Sequence, residues 1–141
     1  RRLAGAARSL HTLDLSRAIG VLDSMLLQLL PLCPTLLHLD LSKLPLISPR
    51  ITSTSLCALR LAHCEALAEP LIQCPRLRTL DWEGSEWLRA PTVISSALST
   101  LRLSCCRSLT SPTVQCEALT SLNLSECVSL SSEALQACPL T

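Results

Sequence analysis

The sequence has no phenylalanine and no tyrosine, and apart from histidine its aromatic rings come from two tryptophans. Hydrophobic residues still occupy 48% of the 141 positions, so leucine has to do nearly all of the packing. A core built from one kind of side chain packs loosely unless the architecture repeats and gives each leucine the same environment. The shortage of aromatic residues therefore predicts internal repetition in a chain of single-domain length.

Charge and glycine are also scarce. Charged residues make up 16% of the chain, the formal net charge is +1, and lysine and arginine form no extended run. A nucleic-acid backbone or an anionic membrane surface requires a concentrated basic patch, so neither partner is expected. The three glycines form no phosphate-binding loop, and the patterns H-E-x-x-H and G-x-S-x-G are missing. We expect no catalytic residue, no cofactor and no enzymatic activity.

Two features bear on where the chain works. The apolar stretch from Met25 to Leu41 is interrupted by Pro31, Pro34, His38 and Asp40, whereas a membrane-spanning helix needs about 20 consecutive apolar residues. The nine cysteines are odd in number, follow the repeat described below and are not accompanied by a signal peptide. These observations predict reduced thiols, no transmembrane segment, and a cytoplasmic or nuclear location.

Leucine recurs in the pattern L-x-x-L-x-L, and six copies of it are in register. The first leucines of successive copies lie 26, 20, 21, 21 and 21 residues apart, and a further step of 21 reaches Leu140. This spacing is typical of leucine-rich repeats. Within each copy the second and third apolar positions alternate with polar residues, as a strand with one buried face requires. The copies are Leu10-Leu13-Leu15, Leu36-Leu39-Leu41, Leu56-Leu59-Leu61, Leu77-Leu80-Trp82, Leu98-Leu101-Leu103 and Leu119-Leu122-Leu124.

The repeat predicts an α/β leucine-rich-repeat solenoid, right-handed, with one short parallel strand per turn on its concave face. The strands are expected near residues 12–16, 38–42, 58–62, 79–83, 100–104 and 121–125. The longer first interval accommodates a helix from Val21 to Leu30, which has to end before Pro31. Later turns are shorter and contain prolines at 49, 70, 91 and 112. They predict short extended segments, 3₁₀ segments or single helical turns on the convex side, with one helical turn regained at 131–138.

Neither end of the sequence carries a recognisable polar capping segment. A solenoid needs such caps because its terminal turns otherwise expose the leucines of the core. We therefore expect residues 1–141 to form a single solenoid fragment that is truncated at both ends.

Cysteine occupies two places in the repeat. One column precedes the strands as C-x-x-L and the other lies three residues after the last leucine: Cys33, Cys74 and Cys116, then Cys64, Cys106 and Cys127. No C-x-x-C pair is present, so we interpret the thiols as buried side chains that fill small spaces and expect no metal site. Cys106 and Cys127 are expected in adjacent turns near disulfide distance, and Cys105 on the concave face.

The cysteine positions carry a resemblance to a known family. Cys-Pro turns occur at Cys33 and Cys74, and strands end L-x-L-x-x-C-x-x-L at 59–67 and 122–130. In these features residues 10–140 resemble F-box/leucine-rich-repeat proteins, especially the plant-type F-box/leucine-rich-repeat protein 15 group. The resemblance implies repeats that hold target proteins for an SCF-type ubiquitin ligase. It also implies binding to Skp1 and a cullin, through an F-box outside this segment, since none is visible here.

Two other functions fit the same repeats. One is a leucine-rich-repeat scaffold or regulator with no ubiquitin role, which the neighbouring domains of the complete gene product would distinguish. The other is a receptor-type array that senses a ligand. Cys-Pro turns count against an extracellular receptor, and the N-x-S sequence at Asn123 lies within a predicted strand.

The solvent-facing strand positions predict a binding surface. Neighbouring strands lie about 4.8 Å apart, so Arg60, Asp81 and Arg102 can form a ladder of exposed ion pairs. The same column is a candidate strip for recognising a protein partner, since arginine can bind carboxylates through two parallel hydrogen bonds. The central column consists of Asp14, Asp40, Arg60, Asp81, Arg102 and Asn123, flanked by His38, His63, Glu83 and Lys43.

The two tryptophans are expected to differ in role. Trp82 takes the place of a core leucine, so we expect it to be buried with its indole N–H near a carbonyl group. Trp87 lies beyond the strand, where the pattern does not require burial. Trp87 is the candidate anchor of a protein interface, with packing against Leu88 as the alternative.

Overall fold

A computed structural model of the chain describes residues 7–137, and in this range ten three-residue strands form two parallel sheets. Cys138 and Leu140, which the repeat pattern includes, lie outside the described residues. The strands are β1 (Thr12–Asp14), β2 (His38–Asp40), β3 (Arg50–Thr52), β4 (Ala58–Arg60), β5 (Leu71–Gln73), β6 (Thr79–Asp81), β7 (Thr92–Ile94), β8 (Thr100–Arg102), β9 (Thr113–Gln115) and β10 (Ser121–Asn123).

The larger sheet contains the strands that the leucine pattern predicts, in the order β1-β2-β4-β6-β8-β10. Every pair is parallel and joins the same repeat position of successive turns, as in Leu39 beside Leu59. The central leucine of each strand points inward while its two neighbours face solvent, because side chains alternate along a strand. The predicted parallel solenoid is therefore confirmed. Each observed strand begins where the predicted one does and ends two residues earlier.

A second sheet, in the order β3-β5-β7-β9, forms the side predicted to be convex. The sequence predicts extended segments among other short elements there, but it does not predict that the extended segments pair with one another. The centres of the strands are buried β-branched residues at a spacing of 21: Ile51, Ile72, Val93 and Val114. The prolines before these strands lack an N–H, yet the carbonyls of Pro49, Pro70 and Pro91 each accept an N–H of the next turn at 2.9 Å. The prolines are therefore compatible with this sheet, although they would interrupt a helix.

Between residues 8 and 137, helical structure occurs in two places. Helix α1 (Asp23–Leu29) continues into a 3₁₀ turn (Leu30–Leu32), which agrees with the predicted helix to within three residues. It packs against β3 through the buried Leu26, and the Asp23 carboxylate accepts the N–H groups of Ile47 and Ser48. Helix α2 (Ser132–Ala137) follows β10, where a helical turn was expected.

The core is a single cluster between the two sheets, made of leucines from the larger sheet and β-branched residues from the smaller one. Burial of each leucine contributes about 1.5–3 kcal/mol, so the repeated column is the main source of stability. At the two ends of the larger sheet Leu13 is only partly buried and Leu122 is exposed, since each has a neighbouring strand on one side only. Among residues 7–137, no helix has the length and apolar character needed to cross a bilayer.

Candidate protein-binding surface

The solvent-facing side of the larger sheet, which we call the six-stranded face, carries the predicted column of polar residues. The strand registers align its six members directly, one per turn. They are Asp14, Asp40, Arg60, Asp81, Arg102 and Asn123. The structure thus brings the predicted candidates into one line across the sheet.

The centre of the column is a ladder of ion pairs, as the spacing predicted. The Arg60 guanidinium lies 3.6 Å from carboxylate oxygens of both Asp40 and Asp81. Arg102 lies 3.6 Å from Asp81 and 2.9 Å from the flanking Glu83. The arginine side chains are 57% and 46% exposed, so each pair contributes at most about 1 kcal/mol to stability. Asp81 differs from its neighbours because it lies between two guanidinium groups and is only 8% exposed.

The acidic members of the column also shape the backbone, a role that the sequence analysis missed. Asp40 and Asp81 each accept the N–H of the second following residue, Ser42 and Glu83, at 2.9 Å. Asp14 does the same with Ser16, and hydrogen bonding from the Ser16 side chain, followed by that from its backbone N–H, lowers the pKa of the Asp14 carboxyl group. Such bonds stabilise the turn by which the chain leaves the sheet after β1, β2 and β6. The arginines accept no such hydrogen bond from the backbone, so they are the members of the column best able to bind a partner.

A left-handed residue follows every one of these turns. Among residues 7–137, six of the seven positive φ values fall at the same position of successive repeats, at Arg17, Lys43, His63, Gly84, Cys105 and Glu126, and the seventh is at Gly20. Glycine occupies this place once, at Gly84, where a Cβ atom would lie 2.3 Å from Nδ1 of His63. The missing side chain of Gly84 therefore makes room for the imidazole of the preceding turn.

The flanking residues lie at different distances from the ladder. Glu83 joins it through Arg102, and His38 is exposed at the start of β2. Lys43 and His63 lie beyond the sheet, where with Leu44, Pro45, Glu65 and Ala66 they line a surface depression of 630 Å³. The structure thus brings Glu83 into the ladder and places Lys43 and His63 beside it.

Trp87 is 66% exposed, so the structure favours the surface position over packing inside the core. It lies in the loop after β6 and lines a second depression, of 590 Å³, with Glu65, Ala66, Ala68, Arg89 and Ser108. The sequence pattern did not lead us to predict these neighbours of Trp87. The signal was available, because Pro45, Ala66 and Trp87 are spaced by 21 residues and each precedes a buried leucine.

Trp82 is fully buried in the leucine column, as predicted. The expected hydrogen bond is wrong, since the indole N–H has no partner among the described residues. The Trp82 backbone, by contrast, is paired, because its N–H donates to the Arg102 carbonyl at 2.8 Å. Trp82 therefore stabilises the fold through its volume alone.

The eight cysteines within residues 7–137 are free thiols, and the two predicted columns are largely buried. Cys64, Cys106 and Cys127 each donate to a backbone carbonyl of the preceding turn, over 2.9–3.3 Å. Ser85 occupies the same repeat position and donates to Leu61 in the same way at 2.8 Å. The thiols thus act as buried hydrogen-bond donors as well as fillers of space. Within the same range no group of histidine, cysteine and acidic residues is arranged to hold a metal ion.

Burial makes several of these thiols poor nucleophiles. It raises the pKa of Cys74 to about 11, and together with the neighbouring Cys127 it raises the pKa of Cys106 to about 12. Cys105 is only partly buried, and its thiol lies 3.7 Å from the Glu126 carboxylate. Burial and this negative charge both raise the pKa of Cys105. None of the three therefore has the lowered pKa that marks a reactive cysteine.

Alkylation of the native protein should separate the exposed from the buried thiols. At about pH 8 we expect iodoacetamide to label the partly exposed Cys57 first and Cys105 more slowly. Cys74 and Cys106 should react at least about 100-fold more slowly than Cys57, because they are buried and remain protonated. Peptide mass spectrometry measures each rate, with urea-unfolded protein as the control in which all sites react. Labelling of native Cys106 as fast as Cys57 would contradict the assigned packing.

Comparisons of the chain with protein-family models, with curated proteins and with solved structures found no match. The leucine-rich-repeat solenoid is therefore supported by the sequence period and the observed strand pairing alone.

Proposed function

We propose that the chain is a protein-binding module and that the six-stranded face holds its partner. The observation that carries the proposal is the pair of exposed arginines in the middle of a continuous parallel sheet. The opposite side of that sheet is occupied by the core, so only this side can meet another molecule. Six strands span roughly 24 Å, enough for an extended segment or a helix of a partner.

The arginines are oriented by neighbouring carboxylates but keep room for a closer contact, and this favours a recognition role. Three of the four contacts in the ladder measure 3.6 Å, whereas a charge-assisted hydrogen bond is usually about 2.8 Å long. A carboxylate of a partner can therefore replace an internal one at Arg60 or Arg102 with little loss. The strands of the two arginines lie two positions apart in the sheet, roughly 10 Å, but the guanidinium groups converge on the same Asp81 oxygen, each at 3.6 Å, and so fit closely spaced carboxylates. We infer a partner that presents carboxylates to this face.

The finer proposal is that these are substrate-recognition repeats of an F-box-type, SCF ubiquitin-ligase receptor. Its support is the resemblance carried by the Cys-Pro turns and the two cysteine columns. In that case Skp1 and a cullin bind through an F-box elsewhere in the full-length protein, and the repeats hold the target. Co-purification of the full-length protein with Skp1 is the expected result. A complete reading frame without an F-box would remove the ligase proposal and leave the protein-binding one.

Charge reversal tests the proposed face. We expect the double variant Arg60→Glu, Arg102→Glu to weaken target binding by about 10- to 100-fold, because acidic residues then face acidic residues. Arg50→Glu is the matched control, since Arg50 is exposed on the smaller sheet. The measurement is the affinity of full-length variants for a target that co-purifies with the wild type. Skp1 should bind all variants equally, and equal target affinity of the double variant and the control would contradict the proposed face.

A further inference from the structure

A groove runs along the edge of the solenoid, outside the six-stranded face. The depressions next to Lys43 and Trp87 share Glu65 and Ala66 as lining residues, so they are continuous across three turns. One row of this groove consists of Pro45, Ala66 and Trp87, each just before a buried leucine. We call the part lined by Glu65, Ala66, Ala68, Trp87, Arg89 and Ser108 the Trp87 groove.

Trp87 projects from this groove because the neighbouring turns are small at the same position. Ala66 precedes it in the row and Ser108 follows it, and neither side chain is long enough to cover an indole. The ring is accordingly 66% exposed, whereas Trp82, five residues earlier, is fully buried. Ala66 and Ala68 leave an apolar floor beside the ring. This arrangement can receive one aliphatic side chain against an aromatic wall.

The charges around the Trp87 groove are not balanced. Arg89 pairs with Glu69, and Arg107 in the next turn pairs with Glu126 at 3.4 Å. Glu65 and Glu86 are exposed, and within residues 7–137 neither has an ion-pair partner within 4.0 Å.

The nearest unpaired basic residues do not restore the balance. Lys43 and His63 line the adjoining depression and not the Trp87 groove, and the His63 imidazole lies against Gly84. The Trp87 groove therefore carries negative charge on its rim. The indole ring adds to this, because its face attracts cations.

We propose that the Trp87 groove binds a basic segment of a partner protein in which an aliphatic residue stands next to lysine or arginine. The aliphatic side chain packs on Ala66 and Ala68, and the cation lies over the Trp87 ring within reach of Glu65 and Glu86. A cage for a methylated ammonium group is excluded, because the chain has no phenylalanine or tyrosine to form further walls. The inference rests on the proposed protein-binding function and adds a second contact surface with the opposite charge preference.

Peptide binding to the purified chain tests the inference. Synthetic acetylated and amidated peptides containing Lys-Leu-Lys, Lys-Ser-Lys or Glu-Leu-Glu are titrated by calorimetry at low and high salt. We expect Lys-Leu-Lys to bind at least about tenfold more tightly than either of the others and to weaken as salt screens the acids. Binding should also shift the tryptophan emission, and the shift reports on Trp87 because Trp82 is buried.

Substitutions test whether the peptide binds in the Trp87 groove. Trp87→Ala should weaken Lys-Leu-Lys binding by at least about tenfold, as for an interface anchor. Glu65→Gln with Glu86→Gln should weaken it several-fold, whereas Glu117→Gln, an exposed acid outside the groove, should have no effect. Equal affinity for the acidic peptide, or unchanged affinity after Trp87→Ala, would overturn the inference.

A further variant separates this inference from the proposed function. Arg60→Glu with Arg102→Glu should impair target binding by the full-length protein but leave Lys-Leu-Lys binding intact. If this pair abolishes peptide binding, the peptide occupies the six-stranded face and the inference is wrong. If it leaves target binding intact while Trp87→Ala abolishes peptide binding, the proposed face is wrong and the groove remains.

Discussion

Replacement of Trp82 by alanine should destabilise the folded chain by about 3–5 kcal/mol, as complete removal of a large buried aromatic side chain does. Trp82 is fully buried within a core otherwise made of leucine, β-branched residues and cysteine, so no side chain nearby is large enough to fill the space. A domain of this size has a total stability of about 5–15 kcal/mol, and the variant loses a large part of it. Urea unfolding followed by circular dichroism measures the change in midpoint.

Replacement of Trp82 by phenylalanine distinguishes the effect of lost side-chain volume from the effect of a lost hydrogen bond. The indole N–H has no partner among the described residues, so Trp82→Phe loses volume but no hydrogen bond. We expect it to cost only about 1–2 kcal/mol. Trp82→Leu restores the residue that the repeat has in the other turns and provides a second control. If phenylalanine is as damaging as alanine, the N–H must be satisfied in a way that the structure does not contain.

Asp81→Ala should give the second large effect, a loss of about 2–3 kcal/mol in the free energy of unfolding. Asp81 is 8% exposed, accepts the N–H of Glu83 at 2.9 Å, and lies between Arg60 and Arg102. Alanine leaves a part-buried N–H without its acceptor and two guanidinium groups without their common anion. The arginines are about half exposed, so solvent screening limits what the ion pairs contribute to stability. Most of the lost stability therefore comes from the missing hydrogen bond of the turn.

Two matched variants separate these contributions. Asp81→Asn retains an oxygen that can accept the Glu83 N–H, so it should lose only the ionic part, about 1 kcal/mol, and that loss should shrink at high salt. Asp14→Ala removes the same type of turn bond from the exposed β1 and should cost much less than Asp81→Ala. Urea titrations at low and high salt provide the comparison. If Asn and Ala at position 81 are equally destabilising, the turn bond does not carry the effect.

The position of Asp81 also links stability to the proposed function. By contacting Arg60 and Arg102 together, its carboxylate holds both guanidinium groups over the middle of the six-stranded face. Orientation of two long side chains before binding reduces the conformational entropy that a partner has to overcome. Asp81 is therefore a positioning residue for the arginines, while the arginines themselves are the expected contacts.

The leucine period alone was enough to predict the larger sheet. A strand has a side-chain period of two, and a turn of about 21 residues returns the chain to the same place, so L-x-L recurring at that interval places the leucines in one column. The same reasoning aligns the six polar residues and brings Arg60, Asp81 and Arg102 together, because the register of parallel strands is determined by their buried faces. The exposure of Trp87 followed from its place outside the pattern.

Other features depend on contacts between turns that no single segment encodes. Three residues such as Arg50-Ile51-Thr52 are too few to specify a strand, and they become one only when the next turn supplies the paired carbonyl and N–H groups. The choice of Glu83 as the second partner of Arg102 likewise depends on how the chain turns after β6.

The sequence by itself thus determined the repeat, the larger sheet and the line of outward residues, because these follow from a regular apolar period. Only the tertiary structure decided that the convex segments pair, that Trp82 lacks a hydrogen bond, and that Glu65 and Glu86 lie unpaired beside an exposed ring. These features depend on distances between residues about 20 positions apart, where the backbone of one turn meets the side chains of the next.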